Sequence, residues 1–511
     1  MAIEQQLDPA KRLLVTIAVM LAVLIQVLDT TIANVALPHM QASLGATQES
    51  IIWVLTSYIV ASAIALPISG WLADRIGRKR LLFWSVVGFT ASSFLCAVAQ
   101  SLPEMVAFRV LQGVTGAFLV PLSQATLFDI NPRERHARAM ALFGGGIMIG
   151  PILGPVLGGW LTDSFNWRWV FLVNIPIGSL AALMLLRFMP KSAKSSHRFD
   201  LMGFALLGLA LGALQLMLDR GQHEDWFQSM EIWIEAGVFV AAGWMFVVHT
   251  VTSKKPLFDR SLFADRNFAL GLMFMMVTGV LLLAGLALLP PLLQQLYGYS
   301  VLQSGMMTAP RGVGTLISML VAGRLVDKVD LRILVAAGLG LMGWSLHMMT
   351  GFAIEMGSGP VVWSGLVQGL GLGLVFVTMQ SLAFATLAPQ MRTHAASLLN
   401  LSRNIGGSIG ISLVTSLLAR NMQSAHADMA SNVTEQVLPS ISQGLATQFG
   451  LPAQSALALA NAEITRQAAF IAYIDDFWIM MWLTFAAIPL VLLLRPAKPT
   501  GPAEAKVAIA D

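Results

Sequence analysis

The chain has too little charge to face water on every side. Of 511 residues, 11% are Asp, Glu, Lys or Arg, 56% are apolar, and mean hydropathy is +0.73. Ordinary globular proteins carry about 25% charged residues, so a soluble fold of this size could not cover its surface. Cysteine is nearly absent. Cys96 alone excludes an internal disulfide framework and a cysteine metal cluster, and inside an apolar run it reads as a small buried hydrophobe. No GxxxxGK[ST] or HExxH occurs, which removes the ATP-loop and zinc-protease readings, and the one GxSxG, Gly406–Gly410, lies in an apolar run and follows no strand pattern. The glycine-rich segments lie in apolar runs and follow no strand pattern, so a dinucleotide site fails as well. A net charge of +4 would suit nucleic acid, but the basic residues are scattered through short loops, so no such partner is expected. Neither enzyme activity, a metal nor a cofactor is called for.

What the sequence has is apolar length. A helix needs about 20 mostly apolar residues to cross a bilayer. Fourteen such stretches occur, near 13–37, 51–72, 81–100, 104–127, 139–161, 169–189, 200–218, 231–251, 267–291, 304–326, 332–353, 360–382, 394–419 and 470–494. The expected fold is an all-α membrane protein with the lipid bilayer as its solvent. The first stretch is too long for a signal-peptide core and no small-residue cleavage site follows, so it is read as an uncleaved span. An even count puts both termini on one side. Of the 31 Lys and Arg, about 24 then fall on the terminal side, 4 on the other and 3 (Arg109, Arg311, Arg403) inside spans. The positive-inside rule makes the terminal side cytoplasmic. The segment 421–469 is read as a long outer loop with a helical stretch at Ala453–Gln467.

Three anchors repeat at nearly constant offset. Gly70–Arg80 (GWLADRIGRKR) is echoed by Gly323–Arg332 at 253, Leu111-Gln112-Gly113 by Val367-Gln368-Gly369 at 256, and the loop from Pro132 by that from Pro389 at 257. The plan is therefore six, two, six. Residues 1–190 form the first half, 191–266 a linker with two inserted spans, 267–496 the second half and 497–511 a tail. Parallel halves are a recognised transporter plan, with the site at their interface near the midplane. Gly365 stands where the first half has Arg109, so the first half is expected to carry the coupling chemistry.

Four clusters are candidates for that chemistry. Asp29 lies deep in the first span, whereas the other carboxylates sit at or near span ends. An ionised acid in the membrane is costly and marks a functional site by default. Gln26, Thr30 and Asn34 continue a polar stripe beside it. Arg109 enters the fourth span at a comparable depth, and Gln112, Gly116, Ser123 and Gln124 extend its face. Burial favours the neutral acid and a nearby guanidinium favours the carboxylate, so a protein that alternates these environments can load and release a proton. A static pair that fixes helix packing is the competing reading. The turn holding Gly70, Asp74, Arg75, Gly77 and Arg78 is a candidate gate, although its cations also obey the positive-inside rule. In the fifth span Gly150, Gly154, Gly158 and Gly159 allow tight helix contact, and Pro151 and Pro155 are expected to bend the helix. Arg311 suits either a pathway for anionic substrates or a structural role.

These motifs, in this order, resemble the major facilitator superfamily, and within it the fourteen-helix drug:proton antiporter family of the EmrB/QacA type. GWLADRIGRKR is similar to the signature between helices 2 and 3, and Arg109–Gly113 to the arginine motif of helix 4. Gly150–Gly159 is similar to the antiporter signature of helix 5. Leu28–Pro38 (LDTTIANVALP) and Trp167–Gly178 (WRWVFLVNIPIG) also fit. The resemblance implies export of lipophilic drugs in exchange for protons, with Asp29 and Arg109 in proton coupling. It further implies a bacterial inner-membrane location, a periplasmic adaptor and an outer-membrane channel. A proton symporter for a small nutrient is the alternative, and a non-transport membrane protein a third.

Overall fold

Apolar side chains on every face of a helix, with no water to satisfy the backbone, leave helices as the way to cross lipid. A computed structural model describes residues 8–47, 50–132, 135–190, 199–222, 224–326, 328–385, 387, 391–431 and 453–495. Its long helices are α1 (Pro9–Leu44), α2 (Trp53–Ile76), α3 (Arg78–Val98), α4 (Leu102–Ile130), α5 (His136–Ser164), α6 (Trp169–Phe188) and α7 (Leu201–Arg220), followed by α8 (Met230–Thr252), α9 (Arg266–Leu296), α10 (Val301–Leu325), α11 (Leu331–Thr350), α12 (Gly359–Ala385), α13 (Arg392–Ser431) and α14 (Ala453–Ala487). Among the described residues, eleven are long and apolar enough to cross a membrane. The other three, α5, α10 and α13, pack against them, which is consistent with fourteen spans.

Two of the long helices are interrupted where proline withholds a donor. A 3-10 turn at Leu66–Ile68, around Pro67, splits α2. In α4 the break falls at Ala117 and Phe118, four residues before Pro121, which has no N–H for the Ala117 carbonyl. At the turn between α2 and α3, Gly77 has φ +92°, a conformation that side chains with a Cβ rarely adopt.

The packing of the first half is repeated in the second. Helix α2 packs on α4 as α10 does on α12, α1 on α5 as α9 on α13, and α3 on α4 and α6 as α11 on α12 and α14. The halves meet through α5 against α10 and α12, and through α13 against the far pieces of α2 and α4. Of α2, it is Leu66–Ile76 that meets α13, whereas Trp53–Ala65 packs on α4 and α7. Helices α7 and α8 pair with each other. The first lies on α2 and reaches α13 through Gln215 and Ser408 (2.9 Å), and little of the second is buried.

Helices α13 and α14 run well past their apolar cores. The segment 421–469, read as a loop, is helical up to Ser431 and again from Ala453, and His426 meets Asn461 across the two extensions at 3.1 Å. Alanine-rich polar sequence keeps its helix beyond the point where hydropathy stops marking a span. Residues 432–452 lie outside the described set, as do residues 191–198 of the linker and the tail beyond 495.

The contact between α1 and α5 is glycine-dependent. A Cβ at Gly150 would run into Val27, one at Gly154 into Thr31 and one at Gly158 into Ile32, whereas one at Gly159 meets nothing within 4 Å. Helix α5 is continuous from His136 to Ser164, and the bend expected from Pro151 and Pro155 falls on side chains outside the described set. Overpacking of this kind costs about 1–3 kcal/mol. Gly150→Leu should therefore lower the thermal midpoint of the purified protein by several degrees, while Gly159→Leu leaves it nearly unchanged. Equal shifts would contradict the packing account.

Candidate functional site

Five helices of the first half converge on one enclosed ion pair. Arg109 of α4 donates from Nη1 to Asp29 Oδ2 of α1 at 2.6 Å, and neither residue is exposed. Its Nη1 also donates to Gln112 Oε1 (2.6 Å), and its Nε to the Val54 carbonyl of α2 (2.9 Å). The second carboxylate oxygen of Asp29 accepts from Gln112 Nε2 (2.8 Å) and from Asn174 Nδ2 of α6 (3.0 Å). Ser93 Oγ of α3 accepts from the same two amides at 2.7 and 3.3 Å. Tyr58 and Phe171 stack their rings 4.5 and 5.7 Å from the guanidinium carbon. Depth and spacing in the sequence allowed a direct or a water-bridged pair, and the direct pair is found.

Burying two charges costs several kcal/mol per ion, and this is offset only where geometry and remaining hydrogen bonds are good. Here each charge has charge-assisted partners at short distance. The sequence reading missed Asn174, Ser93 and Tyr58, although WRWVFLVNIPIG carried Asn174. A lone Asn, Ser or Tyr in an apolar run does not declare which way it points.

The rest of the predicted stripe does not join the cluster. Thr30 donates to the Val27 carbonyl at 2.9 Å, Asn34 is exposed, and Gln26 Oε1 is buried without a partner among the described residues. Because α4 breaks at Ala117, Ser123 and Gln124 ride on a separate helical piece. Ser123 donates to the Val19 carbonyl (3.3 Å), and Gln124 Oε1 accepts from Asn400 Nδ2 of α13 (2.9 Å), a bond between halves. Carboxylates away from span ends also include one that sequence reasoning passed over. Asp476 of α14 is buried, next to Asp475, and neither of its oxygens has a partner among the described residues. Arg311 lies in the second half, between α9 and α12, apart from the Asp29 cluster.

A second cluster closes the basic end of the molecule. Asp74 Oδ2 lies 3.3 Å from His394 Nε2 of α13, whose ring covers Gly70, so a Cβ there would collide with it. Arg78 pairs with Asp129, and the other oxygen of Asp129 takes Arg392 Nη1 of α13 at 3.2 Å. Ser397 donates to the Leu66 carbonyl at 2.7 Å, and Phe128 packs on Phe384 with centroids 4.4 Å apart. Arg75 lies over the Trp71 ring at 5.6 Å; Asp74 meets α13 of the other half directly, whereas Arg78 reaches it only through Asp129.

Residues 19–411 match the family described as Major Facilitator Superfamily. The chain is 34% identical over 509 residues to "Multidrug export protein EmrB" of Escherichia coli (strain K12), covering 98% of each chain. It is 35% identical over 493 residues to "Fatty acid resistance protein FarB" of Neisseria gonorrhoeae, covering 95% of this chain and 97% of that one. The fold is similar to the solved structure of the proton:xylose symporter XylE bound to 6-bromo-6-deoxy-D-glucose. Its TM-score is 0.60 at 14% identity, over 94% of this chain and 97% of that one.

Removing one partner of a buried pair costs about 3–5 kcal/mol because the other charge is stranded. Arg109→Leu should destabilise the purified protein by that amount, and adding Asp29→Asn should recover part of the loss. A double variant no more stable than Arg109→Leu would contradict the pair's energetics. For the basic end, Asp74→Asn with Asp129→Asn should raise maleimide labelling of a cysteine at Ser397 several-fold in a Cys96→Ala background. Unchanged labelling would show that these carboxylates do not hold the halves together.

Proposed function

The chain belongs to the Major Facilitator Superfamily, and on that premise we propose that it exports lipophilic drugs or toxic amphiphiles by antiport with protons, using alternating access. It is a multi-pass membrane protein with an inner-membrane location proposed from its relatives, and both termini are assigned to the cytoplasm on the strength of the Lys/Arg asymmetry. The proton gradient is the energy source. A periplasmic adaptor and an outer-membrane channel are proposed partners by likeness to EmrB-type permeases.

One observation carries the proton reading: Asp29 and Arg109 are fully enclosed, at 2.6 Å, between helices of one half. While the pair is closed the carboxylate is neutralised by a guanidinium. When Arg109 moves off, a bare carboxylate in low dielectric is costly, and taking a proton from water removes the charge. The protonated acid crosses with the rocking halves, and re-engagement of Arg109 expels the proton to the other side. Either partner binding alone keeps the site neutral, so proton and counter-charge exclude each other. Latching at the basic end, with Trp53–Ala65 of α2 lying on α7, supports assigning the present arrangement to the outward-facing side of the cycle.

The nutrient-symport alternative makes the opposite prediction for flux direction. In proteoliposomes with an imposed pH gradient, lipophilic compounds should trigger proton movement in wild type, and Asp29→Asn should abolish it while leaving a folded protein. Retained substrate-driven proton movement in Asp29→Asn would remove Asp29 as the carrier. Accumulation with the proton rather than against it would overturn antiport.

A further inference from the structure

Positions of the two halves that make equivalent helix contacts differ in charge. The Cβ position of Gly113 on α4 abuts the Tyr58 carbonyl of α2, and that of Gly369 on α12 abuts the Arg311 carbonyl of α10. Arg311 is thus the counterpart of Tyr58, in agreement with the 253-residue offset of the α2 motif. On the same 256-residue offset Gly365 replaces Arg109 and Gln368 replaces Gln112. For α1 and α9 the helix contacts give the register. Gly150 of α5 packs on Val27, and Gly407 of α13 packs on Leu283, so Gly285 occupies the place of Asp29. The second half therefore has glycines at both positions of the ion pair and a cation at the position of the tyrosine.

Among the described residues that cation has no counter-charge. Arg311 is 6% exposed, and its Nε and Nη1 have no hydrogen-bond partner among the described residues. Its remaining contact is Nη2 to the Leu282 carbonyl at 3.3 Å, long for a charged donor. Arg109, by contrast, is bonded at 2.6 and 2.9 Å to a carboxylate, an amide and a carbonyl. The guanidinium sits over Gly285, where a Cβ would lie 3.0 Å from Nη1. Gln368 Oε1, about one helical turn from Gly365 on α12, is also buried and without a partner among the described residues. A buried guanidinium left with open donors costs more than a paired one and asks for an acceptor from outside the chain.

Resting on the export reading above, we infer that Arg311 is an anion-receiving position, and that a transported amphiphile places its carboxylate there with Gly285 and Gly365 leaving the room. The helices that flank it, α9 and α12, are largely apolar, so the rest of such a ligand is an alkyl or aromatic body. The second half receives the substrate's charge while the first half handles the proton.

The test is binding, kept separate from transport. Dissociation constants for dodecanoate and for its uncharged amide are measured on the purified full-length protein, for wild type, Arg311→Gln and Arg311→Lys. Loss of a charge-assisted contact should weaken dodecanoate relative to the amide about tenfold or more in Arg311→Gln, and Arg311→Lys should restore most of that ratio. An unchanged ratio, whether both ligands bind as before or both are lost together through misfolding of the pocket, overturns the assignment, as does a wild type that binds neither. Wild type that binds dodecanoate through Arg311 but moves no lipophilic compound in proteoliposomes would instead overturn the export reading alone.

Discussion

A carboxylate and a guanidinium 2.6 Å apart, with no access to water, set the terms for the first half of this molecule. Their charges can be kept in the membrane only if every remaining donor and lone pair is met. That requirement explains why α1, α2, α3, α4 and α6 all lend a group to one point: Asp29, the Val54 carbonyl, Ser93, Arg109 with Gln112, and Asn174. Tight α1–α5 packing over Gly150 and Gly154 then holds α1 against the helix that faces the other half. A pair so enclosed is stable closed and costly half-open, which is the character a two-state coupling element needs.

The other half uses the same helix contacts for a different purpose. Its glycines at 285 and 365 stand where the pair stands in the first, and the Arg311 guanidinium, without an ion partner among the described residues, sits over the first of them. Between the halves, the basic end is tied by Asp74 with His394 and by Asp129, which serves Arg78 and Arg392 at once. Asp129 thereby links the α2–α3 turn of one half to α13 of the other.

Most of the fold was legible in the residues because lipid demands long apolar helices and leaves little else to decide. The repeat was legible because glycine and charge recur at offsets of 253 to 257. Asp29 and Arg109 stood out as ionised groups where none should be. What escaped was direction. Nothing in WRWVFLVNIPIG says that Asn174 turns toward Asp29, and nothing in a lone His394 says that it caps Asp74 across 320 residues. Asp476 was hidden by its position one and a half turns into an apolar run, where it passed for a span end. The helical continuation of α13 to Ser431 escaped because hydropathy marks the membrane and not the helix, whereas that of α14 was legible as the stretch Ala453–Gln467.

The central claim is that Asp29 holds a proton whenever Arg109 is away and loses it when the substrate-bound protein closes the pair. The direct measurement is proton release on substrate binding to the purified protein in weak buffer, followed with a pH dye. Wild type should release protons in proportion to bound substrate, and Asp29→Asn should bind substrate and release none. Equal release from both proteins would place the exchanged proton elsewhere and contradict the account.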